Sequence, residues 1–304
     1  MTFASEDDPG RVLQTHTLQK CTACGLVSLH PVPTQEELDA FYRPSYYTQN
    51  WQTDYAQNVL YRPNSEKIKR LFKKNPLQLL VKLHRFTCTD RTRFFKDQST
   101  LLDIGCGNGV YLLNVSRAAQ ARGVRMKLYG LDINPPVHQE LLGHDITIKQ
   151  GSFESEIYPN AYFDFVVAHH AIEHLRDPEK IFQKIFSILK VGGKAALEVP
   201  NASSLSFKLF GKKWSGISYI GHLYYFSPRT FRDLAENAGF RVLKIRYTED
   251  AETFLFSLLR LLRVPEEATE KLARSAFLNV LFIPVVVVLN FFKVGDNIEI
   301  ILQK

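Results

Sequence analysis

Leu101-Leu102-Asp103-Ile104-Gly105-Cys106-Gly107-Asn108-Gly109 reads as a short apolar strand that runs into a glycine-rich turn. A helical pattern follows at once over Val110–Ala121. Open parallel sheets bind their ligands at such turns, outside the carboxyl ends of the strands. Glycine has no Cβ, so the backbone there can approach a ligand closely. A dinucleotide fingerprint would read G-x-G-x-x-G, with an acid about 20 residues further on. This chain instead spaces Gly105, Gly107 and Gly109 by two, with Asp103 ahead of the loop and Asp132 as the next strand-end acid. A carboxylate before the loop suits a ligand that presents an ammonium group and is a poor neighbour for a pyrophosphate.

Outward from that turn the chain alternates strand and helix. Strands are expected at Lys127–Asp132, Ile146–Lys149, Phe163–Ala168, Lys194–Val199, Phe240–Tyr247 and Ile298–Leu302. Helices are expected at Pro178–Leu189, closed by Val191-Gly192-Gly193, and at Pro228–Ala238, which Ser227 caps and Gly239 stops. Repeated βα units imply an α/β fold with a mostly parallel sheet and helices on both faces. Two apolar stretches, Phe254–Leu262 and Ala276–Phe292, interrupt the pattern before the last strand. The second contains Asn279, Pro284 and Asn290 and falls short of the about 20 apolar residues that a spanning helix needs.

Several blocks in this order resemble the class I S-adenosylmethionine (SAM)-dependent methyltransferases, in the branch of the ubiquinone-biosynthesis O-methyltransferases. The carrying stretches are Leu101–Gly109, Tyr129–Ile133, Gly151–Glu154, Phe163–Val167, Ile172–Pro178 and Leu189–Gly193. The resemblance implies a Rossmann-like sheet of seven strands, the last of them antiparallel, and SAM as cofactor. It implies that Asp103, Gly105, Cys106 and Gly107 hold the methionine end of SAM. Asp132 and Ile133 would take the ribose, and Ser152, Phe153 and Glu154 the adenine. Ala168 and His169 would line the methionine side.

A sulfonium already carries an activated methyl group, so the protein mainly supplies proximity and alignment. A hydroxyl acceptor also needs a base, and histidine is the usual candidate. The candidates are His170, Glu173 and His174 after the fourth strand, and His222 and Tyr225 in Gly221-His222-Leu223-Tyr224-Tyr225-Phe226-Ser227. That last stretch is expected to form a lid over the acceptor; the alternative is that Trp214, Tyr224 and Phe226 are core under a loop. Relatives in the ubiquinone branch commonly carry an acid where this chain has His170, a pattern associated with a divalent cation. One carboxylate and one or two imidazoles suit Mg²⁺ poorly, so no metal is expected. A nucleic-acid methyltransferase is the first rival, but Ala168-His169-His170-Ala171 lacks the Asn/Asp-Pro-Pro-Tyr/Phe tetrad of exocyclic-amine enzymes. A non-catalytic SAM-binding module is the second; it would more often have lost Asp132 or the glycines.

The flanks are less regular. Formal net charge is +7, yet Arg62–Lys96 alone holds eleven Lys or Arg against Glu66 and Asp90. Such a segment attracts an anionic partner, among them a membrane surface. Residues 1–60 are expected to form a cap with Cys21, Cys24 and Phe41–Tyr47, residues 61–98 a basic helical cap, and 99–304 the SAM-binding core with an apolar insertion at 251–293. Cys21-Thr22-Ala23-Cys24 is one knuckle where relatives often carry two, bracketed by His16 and His30, and is expected to fold as half a ribbon without zinc. The acidic Met1–Asp8 has no apolar run, and the expected location is cytoplasmic and peripheral at a membrane. The expected partners are a small-molecule methyl acceptor, an anionic membrane surface through 62–96 and 251–293, and no nucleic acid.

Overall fold

A computed structural model describes residues 2–3, 16–34, 36–38, 96–135, 144–217, 221–249 and 251–304. The expectations for Phe41–Tyr47 and for most of the basic segment at Arg62–Lys96 lie outside those residues.

The strand before the glycine turn, β4 (Ser99–Ile104), is buried at every position, as a central parallel strand should be. It lies between β5 (Met126–Asp132) and β7 (Phe163–His169), parallel to both. β6 (Ile146–Gln150) extends the sheet beyond β5, and β8 (Leu189–Pro200) beyond β7, again in parallel. The last strand, β11 (Asn297–Gln303), inserts antiparallel between β8 and β10 (Arg241–Thr248). The order is therefore β10-β11-β8-β7-β4-β5-β6, the expected seven strands. The chain reverses direction in the sheet between β4 and β7, so their carboxyl ends open a crevice.

Helices cover both faces. On one side α1 (Val110–Gln120) buries Leu112, Val115 and Ala119 against Leu101, Leu128 and Val167. On the other, α2 (Pro178–Ile188) and α4 (Pro228–Asn237) pack Ile181, Phe182, Ile185, Phe231 and Ala235 over Leu102, Val166, Leu197 and Ile300. Both of the latter begin as the sequence indicates. Asp177 accepts from the Lys180 N–H at 3.1 Å, Ser227 and Thr230 form a capping box, and each helix has proline in its first turn.

Two boundaries differ from expectation. Val191-Gly192-Gly193 does not separate α2 from a later strand, because β8 starts directly at Leu189. The carbonyl of Gly193 accepts from the Lys304 N–H at 3.0 Å, and the Gly192 N–H donates to the Lys304 carbonyl at 3.1 Å. The end of the chain thus holds both glycines in the sheet. The first helix of the insertion starts at Ala251, ahead of the apolar run at Phe254, so that the insertion consists of α5 (Ala251–Leu261), α6 (Glu266–Ala273) and α7 (Ala276–Phe291). α3 (Leu205–Phe210) lies between β8 and the Trp214 turn.

A second, four-stranded sheet joins the N-terminal segment to the core. β1 (Thr2–Phe3), β2 (His16–Lys20) and β3 (Val27–His30) form its first part, and β9 (Tyr224–Tyr225) completes it. Val27 pairs with Tyr225 and Ser28 with Tyr224. The cysteine knuckle closes the β2–β3 hairpin, with Cys21 and Cys24 both exposed.

Candidate active site

The turn after β4 is braced before any ligand arrives. The N–H groups of Gly105 and Cys106 donate to the Leu131 carbonyl at 2.7 and 3.1 Å. Gly105 has φ +73°, and a Cβ there would lie 2.7 Å from the Cβ of Ala171. Glycine is required at that position on both counts. Asp132 ends β5 and is buried. Its carboxylate accepts from the Gly107 N–H at 2.9 Å and from the Asn134 N–H at 3.0 Å. The two strand-end loops are thereby joined through one side chain.

The cleft beside them is lined by Ile104, Gly105, Leu131, Asp132, Ile133, Asn134, Gly151, Ser152, Phe153, His170, Ala171, His174 and Leu175. Of the residues expected from the sequence to contact the cofactor, Gly105, Asp132, Ile133, Ser152 and Phe153 line this cleft. Gly107 reaches the cleft only through its hydrogen bond to Asp132. Asp103 is buried beneath the turn. The Cys106 side chain packs on the α1 side of the sheet, and burial pushes its thiol well above the usual range, helped by Asp103 and Asp132. Ala168 lies wholly in the core.

Glu154 is exposed; its carboxylate accepts from the Arg176 N–H at 2.8 Å and from the hydroxyl of Ser152, which lines the cleft, at 3.4 Å. His169 faces the opposite side of the sheet, its ring 4.7 Å from that of Tyr111. There it meets Glu198 and Glu299. Arg246 pairs with Glu299 at 2.9 Å, and Thr248 donates to Glu198 at 3.0 Å, so a row of polar side chains crosses four strands in register. Period-two alternation explains the split between Ala168, His169 and their neighbours: successive residues of a strand point to opposite faces.

At the other end of the cleft the expected catalytic residues converge. Ile172–His174 form one 3₁₀ turn, in which Glu173 is fully buried. His170, with φ +51°, reaches back so that its Nδ1 lies 3.3 Å from Glu173 Oε1. The His174 Nδ1–H donates to the Gly221 carbonyl at 2.7 Å, and the His222 Nδ1–H to the Gly216 carbonyl at 3.0 Å. A carbonyl can only accept, so both rings carry their proton on Nδ1 and leave Nε2 with a lone pair. The two rings meet edge-on at 4.8 Å, and His222 Nε2 is 3.9 Å from Glu173 Oε1.

Burial pushes the Glu173 carboxyl up, but the His170 hydrogen bond and the imidazoles of His174, His170 and His222 outweigh it and hold it at about 2. Burial lowers His174, and burial with the neighbouring His174 lowers His222 to about 3. At neutral pH an ionised carboxylate therefore sits among imidazoles that burial keeps uncharged. Glu173, His174 and His222 each bring one ligand atom within 4.8 Å of the other two. Two imidazoles and one carboxylate suit a zinc-class ion better than Mg²⁺. The metal-free expectation weighed His170, Glu173 and His174; the fold adds His222 to the set.

Tyr225 borders this cluster, its ring meeting that of His222 edge-on at 5.8 Å. On its other sides the ring packs with Phe210 and Trp214, beside Leu18, Val27, Phe254 and Leu258. Tyr225 is buried and does not line the cleft, and Trp214 and Phe226 are core. His16 and His30 sit at the open end of the β2–β3 hairpin, and His16 Nδ1 lies 2.8 Å from the Pro31 carbonyl. Four residues of strand, about 13 Å, separate His16 from the knuckle, so it cannot complete a four-ligand set with Cys21 and Cys24. The carbonyls of Gly216 and Gly221, which fix two of the rings, left no trace in the sequence because a backbone acceptor has no residue signature.

The sheet order and the braced glycine turn define a class I SAM-dependent methyltransferase. A family model described as a methyltransferase domain matches residues 62–245, and the chain belongs to that family. It is 27% identical over 163 residues to phosphoethanolamine N-methyltransferase 2 of Caenorhabditis elegans, covering 48% of this chain and 33% of the relative. It is 30% identical over 101 residues to a sterol 24-C-methyltransferase of Aspergillus fumigatus, covering 32% of this chain and 27% of the relative. A ubiquinone biosynthesis O-methyltransferase of Coxiella burnetii is 25% identical over 186 residues, covering 56% and 77%. The chain thus spans about a third or less of the length of the first two. Among solved structures it is similar to a SAM-dependent methyltransferase of Archaeoglobus fulgidus, with TM-score 0.44 and 24% identity over 78% of this chain and 98% of the other.

Proposed function

We propose that this chain transfers the methyl group of SAM to a hydroxyl of a small acceptor such as a sugar, a quinone precursor or a lipid-linked metabolite, with His170 as the base. The observation that carries this reading is the His170–Glu173 pair at the end of the cofactor cleft. SAM would lie along the cleft with its ribose at Asp132 and its adenine beside Phe153. The residues fit that group: a buried carboxylate for two hydroxyls, an apolar ring for the base, and a turn with glycine at the close approach.

Glu173 is ionised, so its Oε1 accepts the Nδ1–H of His170 and leaves Nε2 to take a proton. The His170 side chain is more accessible than that of His222, 32% exposed against 14%. When bound, SAM would supply the activated methyl group, and His170 Nε2 would take the proton that the acceptor hydroxyl gives up. The carboxylate of Glu173 stabilises the imidazolium that results. His174 and His222 stand on the other side of Glu173, each fixed by a backbone carbonyl.

The comparisons support a methyl acceptor in general, since the named relatives act on phosphoethanolamine, a sterol and a quinone precursor. The experiment is turnover with a panel of hydroxylated acceptors, together with S-adenosylhomocysteine binding by calorimetry. His170→Ala should lower kcat by about 10²–10⁴ while binding is retained. Equal turnover by that variant would remove His170 from the reaction.

A further inference from the structure

We propose that the exposed face of α7, with the tip of α5, docks this chain on the surface of an anionic phospholipid bilayer. α7 packs one face inward through Asn279, Ile283, Val286 and Leu289. The opposite face presents Phe277, Leu281, Val285, Val288, Phe291 and Phe292, with Phe277 and Phe291 each at least 75% exposed. These positions recur at helical spacing along a helix about 24 Å long. No charged side chain occurs from Ala276 to Phe292. Among the described residues no single helix is long and apolar enough to cross a membrane; α6 and α7 pass that test only as a pair bent by 75°. An apolar stripe on a helix whose other face is held by the protein is suited to lying in the interface plane.

The ends of the stripe identify the occupant. α5 ends in Leu261-Leu262-Arg263 and α7 in Phe291-Phe292-Lys293. In both, two exposed apolar residues precede a cation with φ +59°, and the chain is closed by a hydrogen bond of 3.0 Å, Val264 N–H to the Leu259 carbonyl and Val294 N–H to the Leu289 carbonyl. α5 runs antiparallel to α7: Asn290, near the end of α7, contacts the Glu249 carbonyl just before α5, and Phe254 meets Phe282. Arg263 and Lys293 therefore mark opposite ends of the stripe. Of the acids of the lobe, Glu252 and Glu266 are turned to Arg274 and Arg260, while Glu267 and Glu270 are exposed on α6 and not on α7. An uncharged centre with a cation at each end matches acyl chains bordered by anionic headgroups. Stacked on a second copy of itself, in either direction, the stripe would bring cation against cation, which disfavours self-association.

The lobe is also attached to the acceptor side of the cleft. The Ser215 N–H donates to Ser257 Oγ of α5 at 3.0 Å, and Ser215 Oγ donates to the Thr253 carbonyl at 3.1 Å. The next residue, Gly216, holds His222. A docked lobe would set the His222 end of the cleft beside the bilayer, where an amphiphilic acceptor is met. That consequence rests on the methyl-transfer reading; the docking does not.

The test is flotation of the full chain with phosphatidylcholine vesicles, with and without about a third phosphatidylglycerol. The expected result is co-flotation with the anionic vesicles, lost by at least about tenfold in a Leu281→Glu/Val288→Glu/Phe291→Glu variant. S-adenosylhomocysteine binding by that variant should be unchanged, which shows that it folds and leaves the cofactor reading untouched. Arg263→Glu with Lys293→Glu should weaken flotation on anionic vesicles and leave the weak binding to neutral ones as it was. The proposal is overturned if the wild-type chain stays unbound at low salt. Equal flotation by the triple-Glu variant would also overturn it, because the basic segment at 62–96 would then be the anchor. So would light scattering that finds a dimer which the triple-Glu variant converts to monomer, since the occupant would then be a second copy.

Discussion

Asp132 carries two duties with one carboxylate: it receives the Gly107 and Asn134 N–H groups and faces the cleft. Asp132→Ala should weaken S-adenosylhomocysteine binding by about 1.5–3 kcal/mol for each hydrogen bond to charge that is lost, measured by calorimetry. Normal affinity in that variant would move the ribose elsewhere. The glycines of the turn are not equivalent. At Gly105 a methyl group meets Ala171 as well as an unfavourable φ, whereas at Gly107, with φ +51°, nothing lies within 4 Å. Gly107→Ala should cost about 1–3 kcal/mol of stability from backbone strain alone. Gly105→Ala should cost clearly more, in the same urea titration. Equal losses would mean that Ala171 yields freely.

At the scale of elements, the stretch from Trp214 to Ser227 is held from three directions. β9 pairs with β3, the Leu223 N–H donates to the Glu173 carbonyl at 2.8 Å, and α5 bonds the Trp214 turn through Ser257. Ser257 is fully buried. Ser257→Ala leaves the Ser215 N–H without its acceptor and should destabilise the lobe by about 1–3 kcal/mol. Hydrogen exchange should report faster opening at Trp214–Gly216 than in β4 or β7, where the sheet is unaffected. Uniform acceleration across the chain would contradict a local attachment. The sequence shows the apolar run of α5 but not this bond, because Ser215 and Ser257 stand 42 residues apart.

For the molecule as a whole, the half-buried His222 contributes to the acid limb of stability. His222 is lowered from 6.5 to about 3, so the unfolded chain binds a proton there that the folded chain refuses. Stability therefore falls as pH drops below 6.5 and goes on falling until about 3, by at most about 1.4 kcal/mol per pH unit for one group. Glu173 acts in the same direction at lower pH: its contribution is present above 4.5 and lost as pH falls through about 2. Urea midpoints measured from pH 7 to pH 4 should show this slope, and His222→Asn should flatten it. An unchanged slope would place the responsible protons elsewhere.

The order of strands and helices, the glycine turn and the Asp132 carboxylate were legible in the sequence. Each depends on local periodicity, on backbone freedom or on a residue type at a strand end, all of which are encoded within a few positions. His170, Glu173 and His174 were legible as candidates for the same reason, standing within one turn of each other. Only the tertiary structure decided which groups share a site. It brought His222 to Glu173 across 49 residues, packed Tyr225 between His222 and the Trp214 core, and turned His169 to the other face of the sheet. It also joined the N-terminal hairpin to β9 and left one face of α7 in solvent. These outcomes depend on packing between distant segments, where side-chain direction and backbone carbonyls decide the contact and a one-dimensional pattern carries neither.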